Sequence, residues 1–195
     1  MQTTSRIPGF DAYHGDGEIN FNATKNAGNV FCFLKSTEGA WHVDALFAHN
    51  RSAAHAAQLI VGAYHFFDDS DPIQQAKHFL AVAKPTAGEL VLTLDVETYF
   101  DGVADAAHTA AQYIKTETGR WPILYSGQSF YEDHLAAKFP ANMHTLWIAR
   151  YGAAPTVSPI SFWQYTEKGK LAGHTGDVDL NWFYGTLDQL KSHCV

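Results

Sequence analysis

Apolar residues in this chain fall into eight short runs, and that segmentation limits the fold more than any other feature. The runs are Ile7–Asp11, Val30–Lys35, Ile60–Phe67, Leu90–Glu97, Ile123–Ser126, Thr145–Tyr151, Ser161–Tyr165 and Val178–Asn181. Stretches of this length with few polar interruptions suit strands buried on both faces, as a parallel sheet requires. Segments with helical spacing lie between the early runs. Val103, Ala106, Ala107, Ala110 and Ile114 form an apolar stripe, with Gly119 placed to cap it. Ile73, Ala76, Leu80 and Ala83 form a second stripe, and Leu46, Ala53, Ala54 and Ala57 a looser third. Gln128–Lys138 has room for a fourth crossover. After residue 145 the strands crowd together and leave no space for long helices. The pattern predicts an α/β fold, a modified TIM-like barrel of about five β/α units followed by three strands lacking helices. An open doubly wound sheet is the alternative.

With 195 residues the chain is expected to form one domain over residues 1–195. Hydrophobic residues at 46% leave no case for disorder. A formal charge of −7 argues against nucleic acid and against an anionic membrane surface as partners. No stretch approaches the roughly 18 apolar residues of a membrane helix. Cys32 sits in an apolar run and Cys194 near the C-terminus, so they read as a buried thiol and a tail thiol rather than a disulfide framework. The opening MQTTSRIPGFDAYHGDGE shows no secretory leader. A substrate outside the cytoplasm would therefore require release by lysis, dedicated secretion or processing.

Polar residues end almost every run: Asp11, Glu38, His65, Asp95 with Glu97, Tyr125, Tyr151, Gln164 and Asp179. In an α/β barrel these strand ends converge on one face, and that face carries the site. Asp95 and Glu97 are one residue apart, so on a strand they share a face with Cα atoms about 6.5 Å apart. Two carboxylates there repel each other and cost desolvation, and a solvated strand end is the plain reading. The functional reading uses the repulsion: an ionised Asp95 should raise the Glu97 pKa and keep it protonated as a general acid. Glycoside hydrolysis needs such an acid and a second carboxylate. Asp11 and Asp179, from the first and last strands, could close the ring. Tyr64, Tyr99, Tyr125, Trp147, Tyr151, Trp163 and Tyr165 bias the cleft towards a sugar, although each alone is better read as core. An Asp11, His65 and Asp95 group could be imagined around a metal. The 11 histidines show no ligand spacing, however, and neither metal nor cofactor is expected.

Taken in order, the motifs spell a family. GFDAYHGDGEINF, FLKSTEG with Asp44, Phe47 and Asn50 after it, GAYHF, LDVE, ILYSG, LWIARY, FWQY and GDVDLNWF run along nearly the whole chain. The set resembles the glycoside hydrolase family 25 lysozymes. The resemblance implies the modified barrel and a muramidase cutting β-1,4 bonds between N-acetylmuramic acid and N-acetylglucosamine in bacterial cell-wall peptidoglycan. It implies Glu97 as general acid and Asp95 as its partner, orienting the acetamido group or stabilising positive charge. Asp11 and Asp179 match further cleft carboxylates, and Tyr64, Tyr125 and Gln164 match substrate contacts. Glu38, His65 and Tyr151 are taken as further substrate-binding candidates, and the protein is expected to act as a monomer. Asp16 and Asn20 depart from the family pattern, which predicts altered subsite contacts. A chitinase-like hydrolase and a non-catalytic wall-sugar binder are the competing readings.

Overall fold

The computed structural model describes residues 5–195. Nine strands form one sheet: β1 (Arg6–Ala12), β2 (Phe31–Glu38), β3 (His42–Val43), β4 (Ile60–Phe66), β5 (Thr93–Asp95), β6 (Ile123–Gly127), β7 (Leu146–Ala149), β8 (Phe162–Gly169) and β9 (Val178–Tyr184). Their order is β1-β9-β8-β7-β6-β5-β4-β2-β3, and β1 also pairs with β2, which closes eight strands into a barrel. The short β3 lies outside as a hairpin partner of β2. Strands β1, β2, β4, β5, β6, β7 and β8 run parallel, whereas β9 is antiparallel to both β8 and β1.

Five helical crossovers follow the first five barrel strands. They are α1 (Phe21–Asn26), α2 (Phe47–Ala56), α3 (Pro72–Ala83), α4 (Val103–Thr118) and the short α5 (Gln128–Phe130), which continues through one wider turn, Tyr131–Leu135. β7, β8 and β9 follow one another without helices, and α6 (Leu187–Lys191) ends the fold. The predicted arrangement of five units and three strands is therefore observed. Local chemistry sets the helix ends. Asp71 caps α3 by accepting from the Gln74 N–H at 2.8 Å, with Pro72 in the first turn. Gly119, at φ 76°, ends α4 in the left-handed conformation that favours glycine.

Two apolar layers result. Helix stripes pack on the outside of the strands, with Ala107, Ala110 and Ile114 of α4 wholly or almost wholly buried there. Inside the barrel, alternate residues meet as a ring-filled plug. Phe33 stacks on Trp147 at 4.2 Å between centroids, and Phe162 abuts Phe31, Phe33 and Phe183. Gly9 and Gly62 make room for it: a Cβ on either would lie 2.5 Å from the Phe31 or Phe33 ring. The helix-free side is covered instead by side chains on the outer faces of β8 and β9. Trp163 stacks with Tyr184 and Tyr165 with Trp182, and the Arg6 guanidinium lies over Trp163 and Tyr184. Trp163 and Tyr165, expected near the sugar, thus serve the outer wall.

Candidate active site

Above the aromatic plug the inward positions turn polar. Alternation places Asp11 above Gly9 on β1, Lys35 above Phe33 on β2, Asp95 above Thr93 on β5, Gln164 above Phe162 on β8 and Asp179 on β9. These residues, with Tyr13, Tyr64, Phe66, Glu97, Tyr125 and Trp147, line a cavity of about 220 Å³. A second hollow of about 420 Å³ adjoins it over the ends of β6 and β7, lined by Gln128, Phe130, Arg150 and Tyr151. Glu97 and Tyr125 border both. A larger hollow beside α2, about 760 Å³, is lined by Phe47, Arg51 and His55 among others and holds none of the converging strand-end carboxylates.

The carboxylates form two pairs. Asp11 and Asp179 face each other across β1 and β9 as direct register partners. Asp11 is buried and accepts from Asn181 Nδ2 at 2.6 Å and from Gln164 Nε2 at 3.0 and 3.2 Å. Gln164 also donates to Asp179 at 3.3 Å, while its Oε1 accepts from the Tyr125 and Tyr151 hydroxyls, both at 2.9 Å. Trp147 Nε1 fixes Asn181 from below at 2.8 Å. Burial pushes the Asp11 carboxyl well above its ordinary value and Asp179 adds repulsion, against which Asn181 and Gln164 hold it down. Burial likewise raises Asp179 to about 6, with the Asp11 hydrogen bond opposing. The pair therefore favours sharing a proton.

Asp95 and Glu97 form the second pair. Asp95 is buried, and its Oδ1 has no hydrogen-bond partner. Burial and then the charge of Glu97 drive its pKa well up. Glu97 stands at the cleft mouth, where desolvation by its surroundings raises it and Lys35 pulls it down. The sequence reading had an ionised Asp95 raising Glu97. The structure instead places the stronger upward push on Asp95, because that carboxyl is the deeper of the two. Tyr64, Tyr125 and Tyr151 are all raised, chiefly by burial, and remain phenols able to donate.

Two expected site residues lie elsewhere. His65 faces outward, between its inward neighbours Tyr64 and Phe66. It is fully buried, bonded to Thr37 Oγ1 at 2.8 Å and Gln75 Oε1 at 3.1 Å, and stacked on Phe79 of α3. It is a core histidine, and burial lowers its pKa to about 4. Glu38 is not among the residues lining the cavity; it pairs with Lys35 Nζ at 2.7 Å. Asn20 caps α1 by accepting from the Ala23 N–H at 3.0 Å. Asp16 accepts from the Tyr13 N–H at 2.9 Å and contributes repulsion to Asp11. Lys35, the one cation among the described residues that line the inner cavity, was missed. Its parity with Phe31 and Phe33 on β2 was the available signal.

With this geometry in place, the profile of Glycosyl hydrolases family 25 matches residues 10–174. The chain belongs to glycosyl hydrolase family 25. Among curated family relatives, Lysozyme M1 of Streptomyces globisporus is 32% identical over 96% of this chain and 71% of its own length. An uncharacterized protein, YegX of Escherichia coli K12, is 34% identical over 83% of this chain, and the match spans 62% of that relative. The bacterial lysozyme of Streptomyces coelicolor superposes with a TM-score of 0.89 at 30% identity, covering 98% of each chain. A family 25 glycosyl hydrolase from Bacillus anthracis also gives 0.89, at 29% identity, over 100% of this chain and 96% of its own.

Proposed function

We propose that the protein is a muramidase that cleaves the β-1,4 bond between N-acetylmuramic acid and N-acetylglucosamine in peptidoglycan. The observation that carries this is the position of Glu97, two residues past the end of β5, where it borders two adjoining hollows while Asp95, the last residue of that strand, lines the inner one. An acid there reaches the oxygen of a glycosidic bond whose two sugars occupy the two hollows. In this reading the inner cavity takes the sugar that becomes cationic. Its floor offers Asp95 and the Asp11–Asp179 pair, and Tyr64, Tyr125, Tyr151 and Gln164 are its hydroxyl and acetamido contacts.

Bound substrate also settles the proton. An acetamido N–H reaching Asp95 would give Oδ1 the partner it lacks and favour its anion. The proton shared by the pair then resides on Glu97, where departure of the leaving oxygen requires it. Two routes complete the reaction: attack by the oxygen of the acetamido group whose N–H Asp95 holds, or attack by a water activated by Asp11 or Asp179. The protein would act as a single-domain monomer, since one chain supplies every group named. Its place of work would be the wall.

The test is digestion of purified peptidoglycan by the native protein and by Glu97→Gln, with fragments resolved by mass spectrometry. Fragments with reducing-end muramic acid from the native protein, reduced by roughly 10²-fold or more in the variant, support the assignment. An intact wall beside cleaved chitin oligomers would make it a chitinase-like enzyme. Wall binding without cleavage of either would make it a binder.

A further inference from the structure

The inner cavity is not the end of the cleft. Around the barrel the strands run β1, β2, β4, β5, β6, β7, β8, β9, so the ends of β1 and β2 lie diametrically across the mouth from those of β6 and β7. The outer hollow rises over β6 and β7. A linear glycan occupying that hollow and then the inner cavity must leave over β1 and β2. Three rings follow one another there, with a fourth aromatic residue next to the last of them in the chain. Tyr13 lines the cavity, its ring 5.2 Å from His14; His14 is 6.2 Å from His42, and Trp41 precedes His42 in the β2–β3 turn. Trp41 is 81% exposed and Tyr13 42%. Contiguous exposed rings that continue a cleft mark an interaction surface rather than scattered surface apolarity.

The ridge is held firmly in place. Asp44, almost wholly buried, accepts from His14 Nδ1 at 2.7 Å and the His14 N–H at 2.9 Å on one oxygen, and from the Leu46 N–H at 2.9 Å on the other. His78 Nε2 bonds the His42 carbonyl at 3.0 Å, tying the hairpin to α3. With Nδ1 engaged by Asp44, the half-exposed His14 ring leaves Nε2 for a ligand. Asp16, Glu38 and Asp44 surround the ridge, and Lys35 is occupied by Glu38, so an anionic ligand is disfavoured. We propose that the ridge Tyr13–His14–His42–Trp41 is a distal subsite for an uncharged amino-sugar unit of the same glycan strand, beyond the sugar held in the inner cavity. The pyranose face stacks on Trp41 and a ring hydroxyl hydrogen-bonds to His14 Nε2. The inference rests on the muramidase reading above.

The experiment titrates peptide-free wall glycan fragments of two, four and six sugars into Glu97→Gln protein, with and without Trp41→Ala. The expected result is that hexasaccharide affinity falls roughly tenfold in the double variant while disaccharide affinity is unchanged. Trp41→Phe should restore most of the loss. Because Trp41 is so exposed, a thermal melt should show the fold unaffected. Equal affinity of the hexasaccharide for both proteins overturns the subsite while leaving the cleft's assignment standing. If no fragment binds even with Trp41 intact, the glycan reading of the cleft fails and takes the subsite with it.

Discussion

Asp179→Asn should make this protein more stable at neutral pH, and the pH at which that gain disappears is set by the site. Asp179 has its carboxyl raised from 3.8 to about 6 by burial and its acidic neighbours. Below pH ~4 the carboxyl is protonated in both folded and unfolded states and costs nothing. Between pH ~4 and ~6 the unfolded chain releases its proton while the native state keeps it. The native state then binds more protons, and stability falls as pH rises. Above pH ~6 the penalty is complete, roughly 3 kcal/mol by the size of the shift. Solvent reaches this half-buried group, so about 1–3 kcal/mol is the better figure. Asparagine removes the charge, can still accept from Gln164, and can donate to Asp11. The variant should therefore melt about 3–10 °C above the native protein at pH 7. The two melts should converge near pH 4. Thermal denaturation at pH 4, 5, 6 and 7, followed by circular dichroism, makes the comparison. A variant no more stable at pH 7, or one stabilised equally at pH 4, would refute the account of a strained carboxylate pair.

Other perturbations probe different parts of the chain. Gly62→Ala drives a methyl to 2.5 Å from the Phe33 ring inside the barrel, and should cost about 1–3 kcal/mol in urea unfolding. Glu89→Ala removes a buried carboxylate bonded by Arg51 at 2.6 and 2.7 Å, by His55 at 2.6 Å and by the Thr86 N–H at 2.7 Å; a loss of about 2–4 kcal/mol is expected, with activity at low temperature retained. Lys35→Met withdraws the cation that holds both Asp95 and Glu97 down, so the acid limb of the pH–activity profile should move to higher pH, with Lys35→Arg restoring it.

Much of this was legible because two simple periods carry it. The apolar runs gave the barrel strands, and the stripe ending at Gly119 gave α4. Period-two alternation is local and depends only on the pleat; applied to β8 it separates inward Gln164 from outward Trp163 and Tyr165, which the reading had placed together. Where alternation was set aside for the rule that strand ends are polar, the reading failed. His65 is one residue out of phase with Tyr64 and therefore faces α3, where Gln75 and Thr37 satisfy it. Lys35 was in phase and was passed over. The run Leu90–Glu97 yields only the short strand Thr93–Asp95, since the Leu90 N–H donates to the Val61 carbonyl and the Val91 N–H to the His193 carbonyl, with Leu90 bridged to Cys194 in the C-terminal segment. Contacts of that kind have no local signature. The eclipse of Glu97 by Asp95 in proton affinity was likewise invisible, because depth decides it and depth is a property of the closed barrel.

The aromatic plug and the carboxylates above it belong to one design. Among the described residues four acids and a single lysine line a cavity that also holds Tyr64, Tyr125 and Trp147, and ionisation of each acid is opposed by desolvation. Such a site is stable only if its members share protons or accept hydrogen bonds from groups that cannot move. Asn181 and Gln164 do this for Asp11, and Trp147 locks Asn181 from within the plug. Among the described residues, Asp95 Oδ1 is the one buried carboxylate oxygen left without a partner. That buried oxygen is the one the proposed mechanism assigns to the substrate, and binding energy is thereby coupled to the ionisation that arms Glu97.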